Sequence, residues 1–381
     1  MRASGPVAVI GGGLAGFVGY LTLLRGGIAP EEITVFSPEL DPAVTWRRRA
    51  AAIRQTHMRS ESDGHCLPTS FPGLAVREAR RRRSLRPLVQ SVCDRYHPTV
   101  PDFLAHVEEL RAASGWSERI ARRRVERIAA ASDGFELDGD GPFRHVLVAT
   151  GHPGLSLPEQ LRGDPRAVHS YEPHEYAESV CVVGAGLAAA TEWLNALAAE
   201  ATVISVRRRE PLRRPLNVPR HYFTRRGLRS FHRTAPADRA AILRELLAPS
   251  FPPSREWDDP LEQAREQGRF RIEPSVNGAA EVICATGFLR GYRHDPLLAG
   301  LVDEHGLETV DDWVVLAPDS TVPALTDRSR TLALGGVAGQ YAYPAADTLA
   351  GARYAAHGSE PTPCCSGAMP GVGARPRWPS G

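Results

Sequence analysis

The stretch Val7-Ala8-Val9-Ile10-Gly11-Gly12-Gly13-Leu14-Ala15-Gly16 leaves this chain few folds to choose from. Four apolar residues read as a buried strand, and the apolar period through Phe17, Val18, Leu21 and Leu24 reads as a helix. Between them Gly11, Gly13 and Gly16 fit G-x-G-x-x-G. The first glycine makes a tight turn, the second lets backbone approach a pyrophosphate, and the third lets helix pack on strand. Leu14 and Ala15 open a helix whose N-terminus offers N–H groups and a positive dipole end to phosphate.

One such pattern also arises at ordinary strand-to-helix turns. Here it recurs at Val180–Ala189, with Gly184 and Gly186 in the first two places, Ala189 in the third and Leu187 opening the helix. Two dinucleotides on one chain suggest electron transfer between them. Each pattern is followed by a buried strand ending in Ala-Thr-Gly, first through Thr150 and Gly151, then through Thr286 and Gly287. Small residues at a strand's carboxyl end admit a cofactor or a crossing chain. The expected fold is therefore α/β, with two Rossmann-like, doubly wound, three-layer dinucleotide-binding domains. A strand and glycines at 331–336, then a helix started by Pro344, return to complete the first unit, so the second is inserted in the first. The expected boundaries are 1–172 and 276–357 for the first domain and 173–275 for the second, with a disordered Pro/Gly/Ser-rich tail at 358–381.

The second strand of each unit sets the ribose contact. After Ile33–Phe36, Ser37 takes the place of the usual acidic residue, and Glu39 is the candidate for the ribose hydroxyl. After Val203–Val206 comes Arg207-Arg208-Arg209, suited to a ribose 2′-phosphate, so the second site reads as one for NADPH. Residues 41–100 read as irregular and arginine-rich, and 211–275 as a helix-containing excursion over the nicotinamide end of the second unit. Residues 101–110 have helical spacing with His106 on the surface, and Asp133-Gly134 reads as a hairpin turn.

Composition excludes several chemistries. The 381 residues contain no lysine, which removes lysine Schiff bases, lysine-anchored pyridoxal phosphate and a lysine-bearing phosphate loop. A net charge of +2 argues against nucleic acid, and the run Arg80–Arg83 lacks aromatic interleaving. No apolar run is long enough to span a bilayer, and a strand begun at Val7 leaves no room for a signal peptide, so a cytoplasmic protein is expected. Cys66, Cys93, Cys181, Cys284, Cys364 and Cys365 form no C-x-x-C and no zinc spacing; Cys181 and Cys284 read as core residues. No metal site is expected.

Over residues 5–357 these features resemble the two-dinucleotide-binding flavoproteins, and within them the flavin-containing monooxygenases and amino-acid N-hydroxylases. The resemblance implies FAD at Gly11, Gly13 and Gly16 and NADPH at Gly184, Gly186 and Ala189. Gln55-Thr56-His57-Met58-Arg59-Ser60 resembles the segment N-hydroxylases lay beside the isoalloxazine, which makes Gln55, His57, Arg59 and Ser60 candidates for catalysis. Arg59 would pair with a substrate carboxylate or NADP⁺, whereas His57 fits a hydrogen-bonded structural role better than a catalytic one. Pro344–Leu349, including Asp347 and Thr348, resembles the final helix facing the flavin, and Gly335-Gly336 replaces the Gly-Asp common in related reductases. The acidic residue after Phe36 is displaced, and the phenylalanine–glycine–histidine signature of the monooxygenases does not align. The implied reaction is oxygenation of a small molecule by a flavin C4a-(hydro)peroxide formed from NADPH and O₂, at nitrogen, sulfur or a ketone. An NAD(P)H oxidoreductase without oxygen insertion and a non-catalytic flavoprotein sensor remain open. The sequence sets no oligomeric state and no substrate.

Overall fold

The computed structural model describes residues 6–60, 65, 73–92, 95–214, 218–276 and 279–359. Cys66, Cys93, Cys364, Cys365, Leu216, Asn217 and the tail beyond 359 lie outside the described residues.

Two five-stranded parallel sheets organise the chain. The first runs Thr331–Leu334, His145–Val148, Val7–Ile10, Ile33–Phe36, Ile120–Ala121. The second runs Phe270–Glu273, Thr202–Val206, Ser179–Val183, Glu281–Cys284, Ala167–His169. In each, the fingerprint strand is central, flanked by the ribose-side strand and by the strand leading into Ala-Thr-Gly. Val7–Ile10 is buried throughout, as a strand covered on both faces must be.

All strands of the second sheet fall between Val148 and Thr331, so the second unit is inserted in the first. Its sheet begins at Ala167 and ends at Cys284, beyond the expected limits of 173 and 275. The edge strand Ala167–His169 has only three residues and half-buried side chains at two of them, too little to show a period.

One face of the first sheet carries the Leu14–Arg25 and Tyr354–Ser359 helices, with Phe17 and Tyr20 meeting the buried Trp116 ring edge-on at 5.0 and 5.2 Å. Its other face packs on a three-stranded antiparallel sheet, Ile128–Ala131, Gly134–Leu137 and Asp140–Phe143, and on the Pro296–His305 helix. The Leu187–Ala198 and Arg255–Glu266 helices cover one face of the second sheet through Trp193, Trp257 and Leu261. Cys181 and Cys284 lie in the core of its other face, fully buried, and burial pushes both thiols up to about 11.

Four local expectations are corrected. Residues 41–100 contain helices at Val44–Ala52, Leu74–Arg81 and Arg86–Val92. Arginine is a good helix former, and a helix such as Val44–Ala52, which buries only Ala50, shows no apolar stripe to read. His106 faces inward beside Phe103 and Val107 rather than outward. The excursion turns partly away from the second unit: Phe231 and Leu243 join the core of the first. Pro344 starts no helix. Thr348 Oγ1 donates to Ala345 O at 2.9 Å and accepts from Gly351 N at 3.0 Å, so the side chain occupies groups a helix would pair, and the helix begins only at Tyr354.

Candidate functional site

A cleft of about 3530 Å³ runs along the carboxyl ends of both sheets and takes in both glycine turns. The two turns are built alike. Gly11 N donates to Phe36 O at 2.9 Å and Gly184 N to Val206 O at 3.0 Å, which anchors each turn to its ribose-side strand. Gly11 (φ +107°) and Gly184 (φ +143°) lie where a side chain is strained, and a Cβ would stand 2.3 Å from Ala149 O or 2.4 Å from Ala285 O. The alanine of each Ala-Thr-Gly thus lies directly against the first glycine of its fingerprint.

The middle glycines differ in kind. A Cβ on Gly13 would meet nothing within 4 Å, and one on Gly186 would meet only Pro249 at 3.9 Å; both line the cleft and begin helices. Leu14, Ala15 and Leu187 line it beside them. Gly16 and Ala189 do not. A Cβ on Gly16 would stand 1.8 Å from Gly11 O, so the third position closes the turn on itself. Gly151 (φ +78°) and Gly287 (φ +77°) line the cleft with free space around them and are glycine for their backbone angle alone. Thr150 and Thr286 turn to protein: Thr150 Oγ1 donates to Asp295 Oδ2 at 2.6 Å, and Thr286 Oγ1 to Ser156 O.

At the ribose ends, Ser37 is buried and donates to Glu39 O at 2.8 Å, while the exposed Glu39 stands on the cleft wall. Opposite, Arg207 is held to Glu210 at 2.7 Å with its side chain only 7% exposed, and its Nε is buried with no hydrogen-bond partner among the described residues. Arg208 and Arg209 are exposed and line the cleft.

Gln55, His57, Arg59 and Ser60 all reach the cleft wall, on a strap that ties the first unit to the Leu187–Ala198 helix of the second. Asn195 Nδ2 donates to Ile53 O at 2.8 Å, and Arg59 Nη1 to Thr191 Oγ1 at 2.7 Å, with the Arg59 guanidinium 5.3 Å over the Trp257 ring. Gln55 Nε2 donates to His57 O at 2.8 Å, and Ser60 Oγ lies 2.6 Å from Nε2 of the buried His65. Asp347 and Thr348 line the cleft, but Pro344 and Gly336 do not; a Cβ on Gly336 would stand 3.1 Å from that of Ala15, which seats the returning chain on the first helix.

Sequence reasoning missed what stands between the two units. His152 and Phe288, each the residue after an Ala-Thr-Gly, stack at 4.1 Å, and Tyr171 continues the stack at 4.9 Å. Arg49 lies over Phe288 at 4.7 Å. The only sequence signal was position, immediately after the repeated tripeptide. Behind the strap, His174 Nε2 lies 3.1 Å from Glu192 Oε2 and Nδ1 2.7 Å from Glu172 O, while Tyr176 donates to Glu192 at 2.7 Å. Burial alone would lower the His174 pKa, but these acceptors on both ring nitrogens raise it.

No family model matches the chain, and no curated protein does. Solved structures do. An ornithine hydroxylase from Pseudomonas aeruginosa superposes with TM-score 0.67 and 16% identity over 93% of this chain and 98% of that one. The ornithine N-hydroxylase of Kutzneria sp. 744, described with reduced FAD, NADP⁺ and L-ornithine, gives 0.69 at 15% identity and the same coverage. L-lysine 6-monooxygenase from Pseudomonas syringae gives 0.64 at 15%, again over 93% and 98%. The chain shares the fold of these structures. In such folds ligands sit at the carboxyl ends of the strands, where this cleft lies. No helix among the described residues is long and apolar enough to cross a membrane.

Proposed function

We propose that this chain is a flavin-dependent monooxygenase that holds FAD at the first glycine turn and NADPH at the second, and oxygenates a small molecule with O₂. One observation carries the reading: both turns open onto a single cleft, so two dinucleotides would share one space.

The residues fit these groups. Around Gly13 and Gly186 there is room for a side chain that neither residue has, the room a diphosphate needs to approach backbone N–H groups. Arg207, with its orphaned buried Nε, and the exposed Arg208 and Arg209 make a donor set for a 2′-phosphate; Ser37 and Glu39, at the same place in the first unit, favour a ribose hydroxyl instead. When bound, the two cofactors supply the electron transfer and oxygen activation that the side chains lack. The chain binds, orients and excludes water. The strap through Gln55, His57, Arg59 and Ser60 closes one wall between the units, with Arg59 fixed by Thr191 and Trp257. Desolvation lowers the Arg59 pKa, yet a guanidinium still stays charged, which keeps a cation for a phosphate or carboxylate. The reaction is oxygenation at nitrogen, at sulfur or of a ketone; the named activities of the solved structures with this fold support nitrogen.

Purified protein should carry FAD or take it up and turn yellow. With amines, sulfides and ketones in turn, it should consume NADPH and O₂ together and yield oxygenated product rather than hydrogen peroxide. Colourless protein that binds no FAD refutes the reading; NADPH oxidation that reduces an acceptor without oxygen uptake moves the assignment to a plain oxidoreductase.

A further inference from the structure

We propose that Arg49 and Arg290 form a subsite in the cleft that recognises the carboxylate of an anionic substrate, a specificity that rests on the flavoprotein reading above. The Arg49 guanidinium lies 4.7 Å over the Phe288 ring and is only partly exposed. It makes no hydrogen bond and no ion pair with any described residue. A guanidinium brings five N–H donors, and on this cleft wall none of them is taken by a described residue.

Its platform is an aromatic stack, in which Phe288 lies against His152 (4.1 Å, 15° between planes) and against Tyr171 (4.9 Å, 12°). Arg290 follows two residues after Phe288. It donates to Gln340 Oε1 at 3.1 Å and reaches Asp347 only at 3.8 Å, too far for a good hydrogen bond. Both guanidinium groups act on the same imidazole. Burial, then Arg290, then Arg49 lower the His152 pKa to about 3, so the ring stacks as a neutral group and offers no charge of its own.

Arg49 over Phe288 and Arg290 two residues beyond that ring both line the cleft beside the stack, and Asp347, 3.8 Å from Arg290, is the one carboxylate paired with either among the described residues, which leaves a place for an anion. The two diphosphates have their own cradles at Gly13 and Gly186, and a 2′-phosphate has Arg207 to Arg209. A planar fork suits a carboxylate, which it can grip through two parallel bonds. A stacked platform that holds the fork in place reduces the ordering cost of that grip.

The test uses full-length protein saturated with FAD and NADP⁺, titrated calorimetrically with benzoate and with benzamide, its neutral near-isostere. Benzoate should bind roughly ten- to hundredfold more tightly, the worth of one charged hydrogen-bond pair. Arg49→Gln should collapse that preference, and Arg49→Lys should restore part of it. Phe288→Leu, which removes the platform and leaves both arginines, should weaken it too and guards against misfolding of the arginine variants. Equal affinity for benzoate and benzamide overturns the proposal. So does a benzoate preference seen with FAD alone that disappears once the protein is saturated with NADP⁺, which would make Arg49 a cofactor-phosphate residue. Protein that binds no FAD yet prefers benzoate refutes the flavoprotein reading and supports the subsite.

Discussion

Replacing Gly13 by alanine separates folding from cofactor binding, because the added methyl touches the protein nowhere. Gly13 has φ −74° and ψ −177°, an extended conformation alanine adopts freely, and its Cβ would have no neighbour within 4 Å. Alanine is a poorer N-cap than glycine by several tenths of a kcal/mol, and it restricts the unfolded chain by a similar amount in the opposite direction. Stability should therefore stay within about 1 kcal/mol of wild type, a melting shift of only a few degrees. The methyl would instead stand where a diphosphate must approach the helix N-terminus. Losing one charge-assisted N–H contact there costs about 1.5–3 kcal/mol, roughly ten- to hundredfold in FAD affinity. Gly16→Ala is the contrast: its Cβ would lie 1.8 Å from Gly11 O, so the turn itself must move, at about 3 kcal/mol or more. Gly186→Ala should weaken NADPH and spare FAD. The assay pairs thermal melts of the apoprotein with FAD titration followed by flavin fluorescence. A Gly13→Ala protein that folds and binds FAD as tightly as wild type would refute the assignment of this turn.

Other consequences are equally direct. Arg208→Ser should raise the KM for NADPH by roughly tenfold and leave that for NADH nearly unchanged, since only the 2′-phosphate loses a charged partner; equal effects on both would remove the basis for calling the second site NADPH-specific. The His174 pKa is raised, so its ion pair with Glu192, beside Tyr176 and Glu281, contributes fully below the ordinary histidine pKa of about 6.5 and is lost as pH rises through the higher folded value. Melting temperature should fall as pH rises from about 6.5 through that higher value, and His174→Gln should flatten the slope. Cys181 and Cys284, fully buried and with pKa values pushed up to about 11, should stay unlabelled when native protein is treated with a thiol reagent and its peptides are mapped.

Much of the fold could be read from sequence because its signals are local. A glycine turn with a strand before it and a helix after it spans about ten residues, and the same arrangement twice defines both sheets' centres. What failed to show was set by contacts distant in sequence. Ala167–His169 is a strand only because Glu281–Cys284 lies beside it. His106 turns inward because the Phe103 and Val107 face packs on the first sheet's core, which its own neighbours in sequence do not disclose. The arginines of Leu74–Arg81 suggest a free basic face, but Arg81 and Arg82 pair with Asp102 and with the buried Glu78, to which Tyr96 also donates. In the site, both glycine turns, the Arg207 cluster and the strap were legible as motifs. The stack of His152, Phe288 and Tyr171 was not, since three residues so far apart in sequence meet only after the two units fold.

The repeated Ala-Thr-Gly has a physical origin that unites it with the glycine fingerprint. Ala149 N donates to Ile10 O at 2.7 Å and Ala285 N to Val183 O at 2.8 Å, so each tripeptide begins by pairing with the last residue of its fingerprint strand. That pairing brings the alanine carbonyl to 2.3 or 2.4 Å from where a Cβ on the first glycine would lie, and glycine is the only residue that fits. The glycine that closes each tripeptide, at φ +78° or +77°, then turns the chain across the cleft toward the other unit. Ser156 N donates to Gly287 O at 3.0 Å and Leu289 N to Gly154 O at 2.9 Å, so the two crossings bind each other. His152 stacks on Phe288 at the same point. The two motifs are therefore opposite sides of one contact, made once in each unit, and the same contact fixes how the two nucleotide turns face one another.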